Sequence, residues 1–505
     1  MPIIGFQNNL RTYGASHEHQ WPLATTLLGL LIAISPLIPF QTLSNTGYND
    51  GQRIVTSLYL MVGILLVGWR LGCKKLLLLS MSGKNIGVSI LFWGLGVMSS
   101  MASYSPRHAF YEWANLAMLF LVSWMIATEV ARNASDLLDR TLLLCGVGCS
   151  VYIFLALVVY VSALVVGQQP DPQDLIVGFD NYRFLNHVQT ISLPLMGVLA
   201  MHRFKSGAPA YFNPTYWFVT LLLWWMLTFV SGGRGTFLGV WSGMLMVLAL
   251  RPRHAWPWFR TMSLSCAAGL AAYLFFYWLV PYLYGLQPFG FLLDVAQRTA
   301  TNPDSSRWPL WQRAIELVLS HPWLGVGPLH FAHYSQDLKI AAHPHNAPLQ
   351  IAAEWGLPAL IALSALVFSG ARALLSAGRA ILPTDFRNQA LSSAFAAAGV
   401  SIVVDSLVSG LIVMPASQLW IALYVGCAWG WAVSQTRPCE PPKAAISSNF
   451  RYALVSGALM LVVLQAKGLW PELSDLPGHE SKSKALGFYT ERSHFTPRVW
   501  RAGYF

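Results

Sequence analysis

Charge is what this chain has least of. Only 10% of its residues are Asp, Glu, Lys or Arg, while 55% are hydrophobic. That proportion excludes a disordered or solvating chain and leaves little room for a water-soluble domain. Acidic residues are the scarcer half, 21 against 32 basic, giving a formal net charge of +11. The excess does not point to nucleic acid, because the basic residues are scattered through short turns rather than gathered in one patch. Six cysteines are present, and none lies in the segments read below as outward-facing. No disulfide framework follows, and Cys145 and Cys149, one helical turn apart, read as small apolar packing residues. Internal repeats, heptads and low-complexity blocks are also missing. No small-residue cleavage pattern follows the first apolar run, so no cleavable signal peptide is expected.

What is abundant is apolar sequence of membrane-spanning length. Runs fall at about 21–40, 54–72, 86–104, 108–128, 140–166, 188–203, 213–231, 235–250, 261–284, 347–371, 388–413, 417–434 and 452–468. They predict an all-α polytopic membrane protein with about 12–13 transmembrane helices. Lys and Arg alternate sharply between the connections. About sixteen lie on one side, among them Lys74, Lys75, Arg132, Arg140, Arg251, Arg253, Arg379, Arg387 and Arg451; about four (Arg53, Arg107, Arg183, Arg234) lie on the other. The bias predicts a cytoplasmic N-terminus, an outward-facing 285–346 loop, and contact of the basic side with anionic membrane lipids. The expected organisation is transmembrane helices over 1–284, a large outward loop over 285–346, further transmembrane helices over 347–470 and a polar tail over 471–505, to which no role is assigned.

The stretch from Pro303 to Ala359 is a polar island with five His, two Arg and one Lys among its Trp and Pro residues. Hydrocarbon cannot host such a segment, and a long non-repetitive loop on a membrane bundle usually carries function. Within it, 305–320 reads as an amphipathic helix, capped by Asp304 and Ser305, with Trp311, Ile315 and Leu319 aligned along one stripe against the membrane face or the bundle mouth. His345-Asn346 sits at the start of the next long helix, with Asn346 as N-cap and Pro348 in the first turn.

Several residues in this outward set suit anion and proton chemistry. Arg234 lies between glycines in SGGRGTFL, and its planar fork fits phosphate oxygens. Arg183 opens the next polar group, in which Asn186, His187 and Gln189 can line a pocket. Arg307 lies near the positive end of the amphipathic helix and is favoured as an anion contact, whereas Arg313, about 240° around the same helix, is expected in solvent or at headgroups. His345 is the strongest proton acceptor, since a neutral imidazole takes a proton near neutral pH. Each of these also reads as an ordinary interfacial residue. The loop has no acidic cluster and no cysteine, so neither a metal nor another cofactor is expected.

Together these motifs resemble the O-antigen ligase and polymerase superfamily of bacterial inner-membrane proteins. The family pattern of His followed by Asn, Ser or Gln, nine residues, then Gly-x-x and Gly, Thr or Tyr is matched by His345, Asn346, Gly356 and, with a departure at its last position, Ala359. Arg234 with Leu238 matches a second motif; Arg307, Trp311, His321, Pro322, Gly325 and Gly327 match a third. The resemblance covers roughly 180–415. It implies a GT-C-like helical fold and metal-independent, inverting glycosyl transfer at the periplasmic face. The donor would be a glycan on undecaprenyl pyrophosphate and the acceptor a sugar hydroxyl of lipid A-core. Carried over, His345 is the base, and Arg234, Arg307 and Arg183 hold the pyrophosphate, supported by Asn346, Asn186 and His187. O-antigen polymerisation and glycan transfer to protein remain open within the superfamily, and transport of a lipid-linked sugar remains open outside it.

Overall fold

The computed structural model describes residues 23–40, 47–72, 79–201, 213–288, 307–436, 448–487, 498–501 and 503, and every element among them is helical. Numbered in chain order, with short turns left unnumbered, the helices are α1 (Leu23–Ile34), α2 (Tyr48–Gly72), α3 (Gly83–Ala102), α4 (Pro106–Arg132), α5 (Ala134–Val165), α6 (Phe184–Met201), α7 (Pro214–Ser231), α8 (Arg234–Leu250) and α9 (Pro252–Leu274, continued to Leu283). They are followed by α10 (Arg307–Ser320), α11 (Ala347–Trp355), α12 (Leu357–Arg379), α13 (Phe386–Ser406), α14 (Pro415–Thr436), α15 (Ser448–Leu473) and α16 (Leu476–Ala485). Ten of the described helices are long and apolar enough to cross a membrane, and α1 and α8 are shorter apolar helices. Each of the thirteen apolar runs is helical, although the run at 417–434 (α14) is not among those ten spans, and the chain is an all-α polytopic membrane protein. Asp304, Ser305, Cys73, Cys439, Lys74 and Lys75 lie outside the described residues.

One run departs from its reading. A single long helix is expected from 347 to 371, but the chain breaks at Gly356 into α11 and α12. Gly356 has φ +87°, which a residue with a Cβ adopts only under strain, and Pro358 restarts the helix in its first turn. The break separates two environments. All but the first three residues of α11 are buried, whereas α12 exposes Leu357, Ile361, Val367 and Phe368 and is the least buried of the candidate spans.

At the other extreme, α6 is the most buried span. It packs on α7 and α13, and α13 in turn packs along α8. This interior position explains how α6 carries Asn186, His187, Gln189, Thr190 and Ser192 through an apolar bundle, since polar groups in a membrane protein are tolerated where other helices satisfy them. Away from the loop, Glu129 of α4 accepts from Ala24 N (3.0 Å), Thr25 N (2.8 Å) and the Thr25 hydroxyl (2.6 Å), fixing α1 by its N-terminus.

The loop has a small core of its own. Leu310, Ala314 and Leu317 of α10 pack with Val326, Phe331, Ala341 and Ala353. This corrects the expected stripe: Trp311 sits at the edge of the buried face, while Ile315 and Leu319 are exposed. Both sides of α10 are apolar, so periodicity alone did not choose the buried one. Arg313 is likewise not free in solvent. Its two terminal nitrogens donate to the Asp337 carboxylate at 2.9 and 2.8 Å and it also reaches the Tyr334 carbonyl, closing the loop on itself.

Candidate active site at the loop end of the bundle

Two backbone arrangements bring the candidate residues together. The first is the joint between α7 and α8. Gly232 ends α7 in the left-handed region at φ +65°, and Arg234 is the first residue of α8. A Cβ at Gly233 would collide with the Asn186 side chain, and one at Gly235 with the Asp405 carboxylate. The glycines flanking Arg234 therefore admit Asn186 and Asp405 rather than a ligand. Arg234 thereby stands at a helix N-terminus whose backbone is packed between α6 and the end of α13.

Around this joint several polar side chains are paired. Asn186 Nδ2 donates to Gln189 Oε1 (2.8 Å) and to the Ser231 hydroxyl (2.7 Å). Thr190 donates to Asp405 Oδ2 at 2.7 Å, and the Thr190 and Thr236 hydroxyls lie 2.7 Å apart. His187 Nδ1 lies 3.9 Å from Asp405 Oδ2, beyond hydrogen-bond reach, and has no hydrogen-bond partner. Asp405, 1% exposed, is thus the carboxylate around which α6, α8 and α13 meet.

The second arrangement is an interlock of two sequence motifs. In the His321-Pro322-x-x-Gly325-x-Gly327 turn, Val326 N donates to Ala353 O and Gly327 N to Glu354 O, both at 2.9 Å; Leu357 N donates to Pro322 O at 2.8 Å. A Cβ on Gly325 would collide with the Glu354 backbone, and one on Gly356 with the Trp323 carbonyl. These glycines let the turn lie directly on the last residues of α11 and satisfy carbonyls that a helix end leaves orphaned. Ala359, the position that departs from the family pattern, is fully buried packing.

At the other end of α11, Asn346 is the N-cap, its Oδ1 accepting from Leu349 N at 2.9 Å. Its Nδ2 donates to Leu407 O at 3.0 Å, tying α11 to the end of α13 two residues past Asp405. His345 has φ +53°, one of three non-glycine residues with positive φ among those described. Such a conformation costs energy and persists where the surroundings enforce it. Here Trp311 of α10 donates to the Pro344 carbonyl at 3.0 Å on one side, and Asn346 is fixed on the other.

The His345 ring lies 4.2 Å, centroid to centroid, from His343. His343 is 1% exposed, and neither of its ring nitrogens has a hydrogen-bond partner. Burial, with the neighbouring charges of Arg307 and His187, pushes the His345 imidazole down to about 3. Burial, with His345, Arg498 and His187, holds His343 well below the usual imidazole range. Both rings are therefore neutral at pH 7, with a lone pair available to take a proton.

Arg307 and His187 thus lie near enough for their charges to act on His345, and Asp405, 3.9 Å from His187, packs against Gly235, the residue after Arg234. Arg183 stands apart. It lies one turn before His187, with its guanidinium 5.3 Å from the Tyr182 ring centroid and Nη2 donating to the Tyr182 hydroxyl at 3.2 Å. The charges acting on His345 are those of Arg307 and His187. His343, Asp405, Glu354 and Arg498 carry no role in the sequence reading, although an acidic residue inside an apolar run, as at Asp405 and Glu354, is a signal of buried chemistry or pairing. Among the described residues no group of three His, Cys, Asp or Glu is arranged to hold a metal ion.

Comparison with known proteins adds one match. No curated protein matches the chain. A family model described as O-antigen ligase matches residues 218–364, a span that runs from α7 into α12 and includes Arg234, Arg307, His345 and Asn346 but not Arg183, His187 or Asp405. Over that span the chain is similar to the O-antigen ligase family, which supports placing it among those glycosyltransferase-like ligases and polymerases.

Proposed function

We propose that this protein is an O-antigen ligase, transferring a glycan from undecaprenyl pyrophosphate to a sugar hydroxyl of lipid A-core at the periplasmic face of the bacterial inner membrane. The observation that carries the reading is His345. It is a neutral imidazole held in a left-handed joint, within the electrostatic reach of Arg307, while Arg234 opens a helix whose second residue packs against Asp405.

In this reading the acceptor hydroxyl attacks the anomeric carbon as the bond to the pyrophosphate oxygen breaks, with inversion. His345 takes the hydroxyl proton, and the pyrophosphate leaves with both its bonding electrons and its charge held by Arg307 and Arg234. Planar guanidinium forks suit that load. The incoming anion also offsets the repulsion between Arg307 and His345, so donor binding raises the basicity of the imidazole when the base is needed. Asn346 positions His345 by capping α11, while Asn186 and His187 line the joint that carries Arg234. Arg183 is a secondary contact at the rim. No cofactor takes part in this scheme.

The test is deletion of the gene, with lipopolysaccharide and glycoproteins resolved on a gel. Loss of all O-antigen from lipid A-core supports the ligase. A single capping unit would point to polymerase activity, and intact lipopolysaccharide with an unglycosylated protein to protein transfer. No change in either would leave transport of a lipid-linked sugar as the better account.

A further inference from the structure

Residues 498–501 show no pattern in sequence, yet they are built into the bundle beside the site. Arg498 is 2% exposed, and its Nη2 donates to both oxygens of Glu354 at 3.0 and 2.9 Å. Gln350, one turn earlier on α11, accepts from the same guanidinium at 2.7 and 2.8 Å when its amide oxygen faces it. Glu112 of α4 supplies a second carboxylate at 3.9 Å.

The backbone of this segment is equally engaged. The Arg498 carbonyl accepts from Arg53 at 3.2 Å, and the Val499 carbonyl accepts from Asn49 at 3.3 Å. Arg501 N donates to Asp50 at 2.6 Å, and Trp500 is buried with Ile54, Tyr111, Leu329 and Leu469. A short piece of chain is therefore wedged among α2, α4, α15 and the loop, and the Arg498 charge is spent on α11.

The position of that charge matters. Glu354 is the penultimate residue of α11, and His345 immediately precedes the cap residue at the other end. The helix is nine residues long, so a rigid rod of about 12 Å joins the Arg498 contact to the His345 joint. The charge of Arg498 is also felt at His343.

We propose that residues 498–501 form an internal strap and that Arg498 is a positioning residue, holding α11 by Glu354 and Gln350 and so keeping His345 in register with Arg307. The functional part rests on the reading of His345 as the base; the holding of α11 can be tested without any transfer reaction.

The experiment uses the full-length protein in nanodiscs. One set of variants carries His345→Cys, and the rate of its labelling by a membrane-impermeant thiol reagent is measured with and without Arg498→Gln, subtracting labelling of the protein with His345 intact. A second set, with His345 intact, gives kcat and donor KM. Because Arg498→Gln leaves a buried unpaired carboxylate, the double variant Glu354→Gln with Arg498→Gln is measured beside it, and melting is recorded for all. The strap predicts that labelling rises by about fivefold or more, the equivalent of a modest local opening. It predicts that kcat falls by about tenfold or more while donor KM stays within about twofold, and that Arg498→Lys recovers part of both effects.

Unchanged labelling and kcat in a cooperatively melting Arg498→Gln protein would overturn the proposal. So would changes confined to variants that no longer melt cooperatively. Faster labelling in a protein that shows no glycosyl transfer at all would keep the strap and discard the transferase reading.

Discussion

Two buried polar clusters lie at opposite ends of α11, and they are built on opposite terms. At Glu354 every charge has a counterpart: Arg498 binds both carboxylate oxygens, Gln350 accepts from the guanidinium, and Phe331 N donates to Glu354 at 3.1 Å. At His345 the balance is different. Arg307 and His187 act on the ring, and His343 has two unpartnered nitrogens against it. Asp405, 3.9 Å from His187, is engaged by Thr190. Burying polar groups is costly unless they are paired, so the first cluster reads as scaffold and the second as a site prepared for an anion and a proton.

The comparison breaks most readily at the arginines. Arg234→Lys and Arg307→Lys each keep a positive charge but lose the planar fork. Each is expected to lower transfer by about 10- to 100-fold in a purified assay, with protein level in the membrane unchanged. Wild-type rates in either variant would make that arginine a structural residue of the helix joint. Next in size is Gly356→Ala, which forces a Cβ against the Trp323 carbonyl at φ +87°. It should destabilise the protein by about 1–3 kcal/mol, read as a lowered melting temperature. An unchanged melt would mean that the interlock is not rigid.

Acidification tests the cluster at His345 more gently. The folded value of about 3 lies below the unfolded value near 6.5, so the fold favours the neutral ring. That contribution to stability is complete above about pH 6.5 and is lost as pH falls toward about 3, because only the unfolded chain takes up the proton in that window. The melting temperature should therefore drop between pH 7 and 5, by less in His345→Phe. The acid limb of kcat/KM in the wild-type protein should lie below about pH 5. A limb near 6.5 would show an ordinary solvated imidazole. The smallest effect is expected from Asp337→Ala. This carboxyl is held below its usual value chiefly by its hydrogen bonds to Arg313, but the side chain is 63% exposed. Its loss should cost under about 1 kcal/mol and leave transfer within about twofold.

Much of the bundle was legible because span length and period are local properties. The thirteen runs became helices, and the Asn346 cap with Pro348 marks the start of α11 as read. The break at Gly356 was legible in principle, since a glycine two residues before a proline is a stop and a restart, but the apolar run hid it. The inward face of α10 was not, because Leu310 and Leu317 compete with Ile315 and Leu319 on the opposite side. The candidate site was legible one residue at a time, while its assembly was not. Asp405 meets His187 and Gly235 from some 200 residues away, as Arg498 meets Glu354 across 144. No local pattern announces contacts of that separation.

His345 is the proposed proton acceptor, and its role is tested most directly by transfer with purified protein in nanodiscs. Wild-type and His345→Ala proteins would be supplied with an undecaprenyl pyrophosphate-linked glycan and lipid A-core, and the glycosylated product quantified. The expected result is product from the wild-type protein and a loss of about 100-fold or more in a variant that melts normally. Wild-type rates from His345→Ala would contradict it.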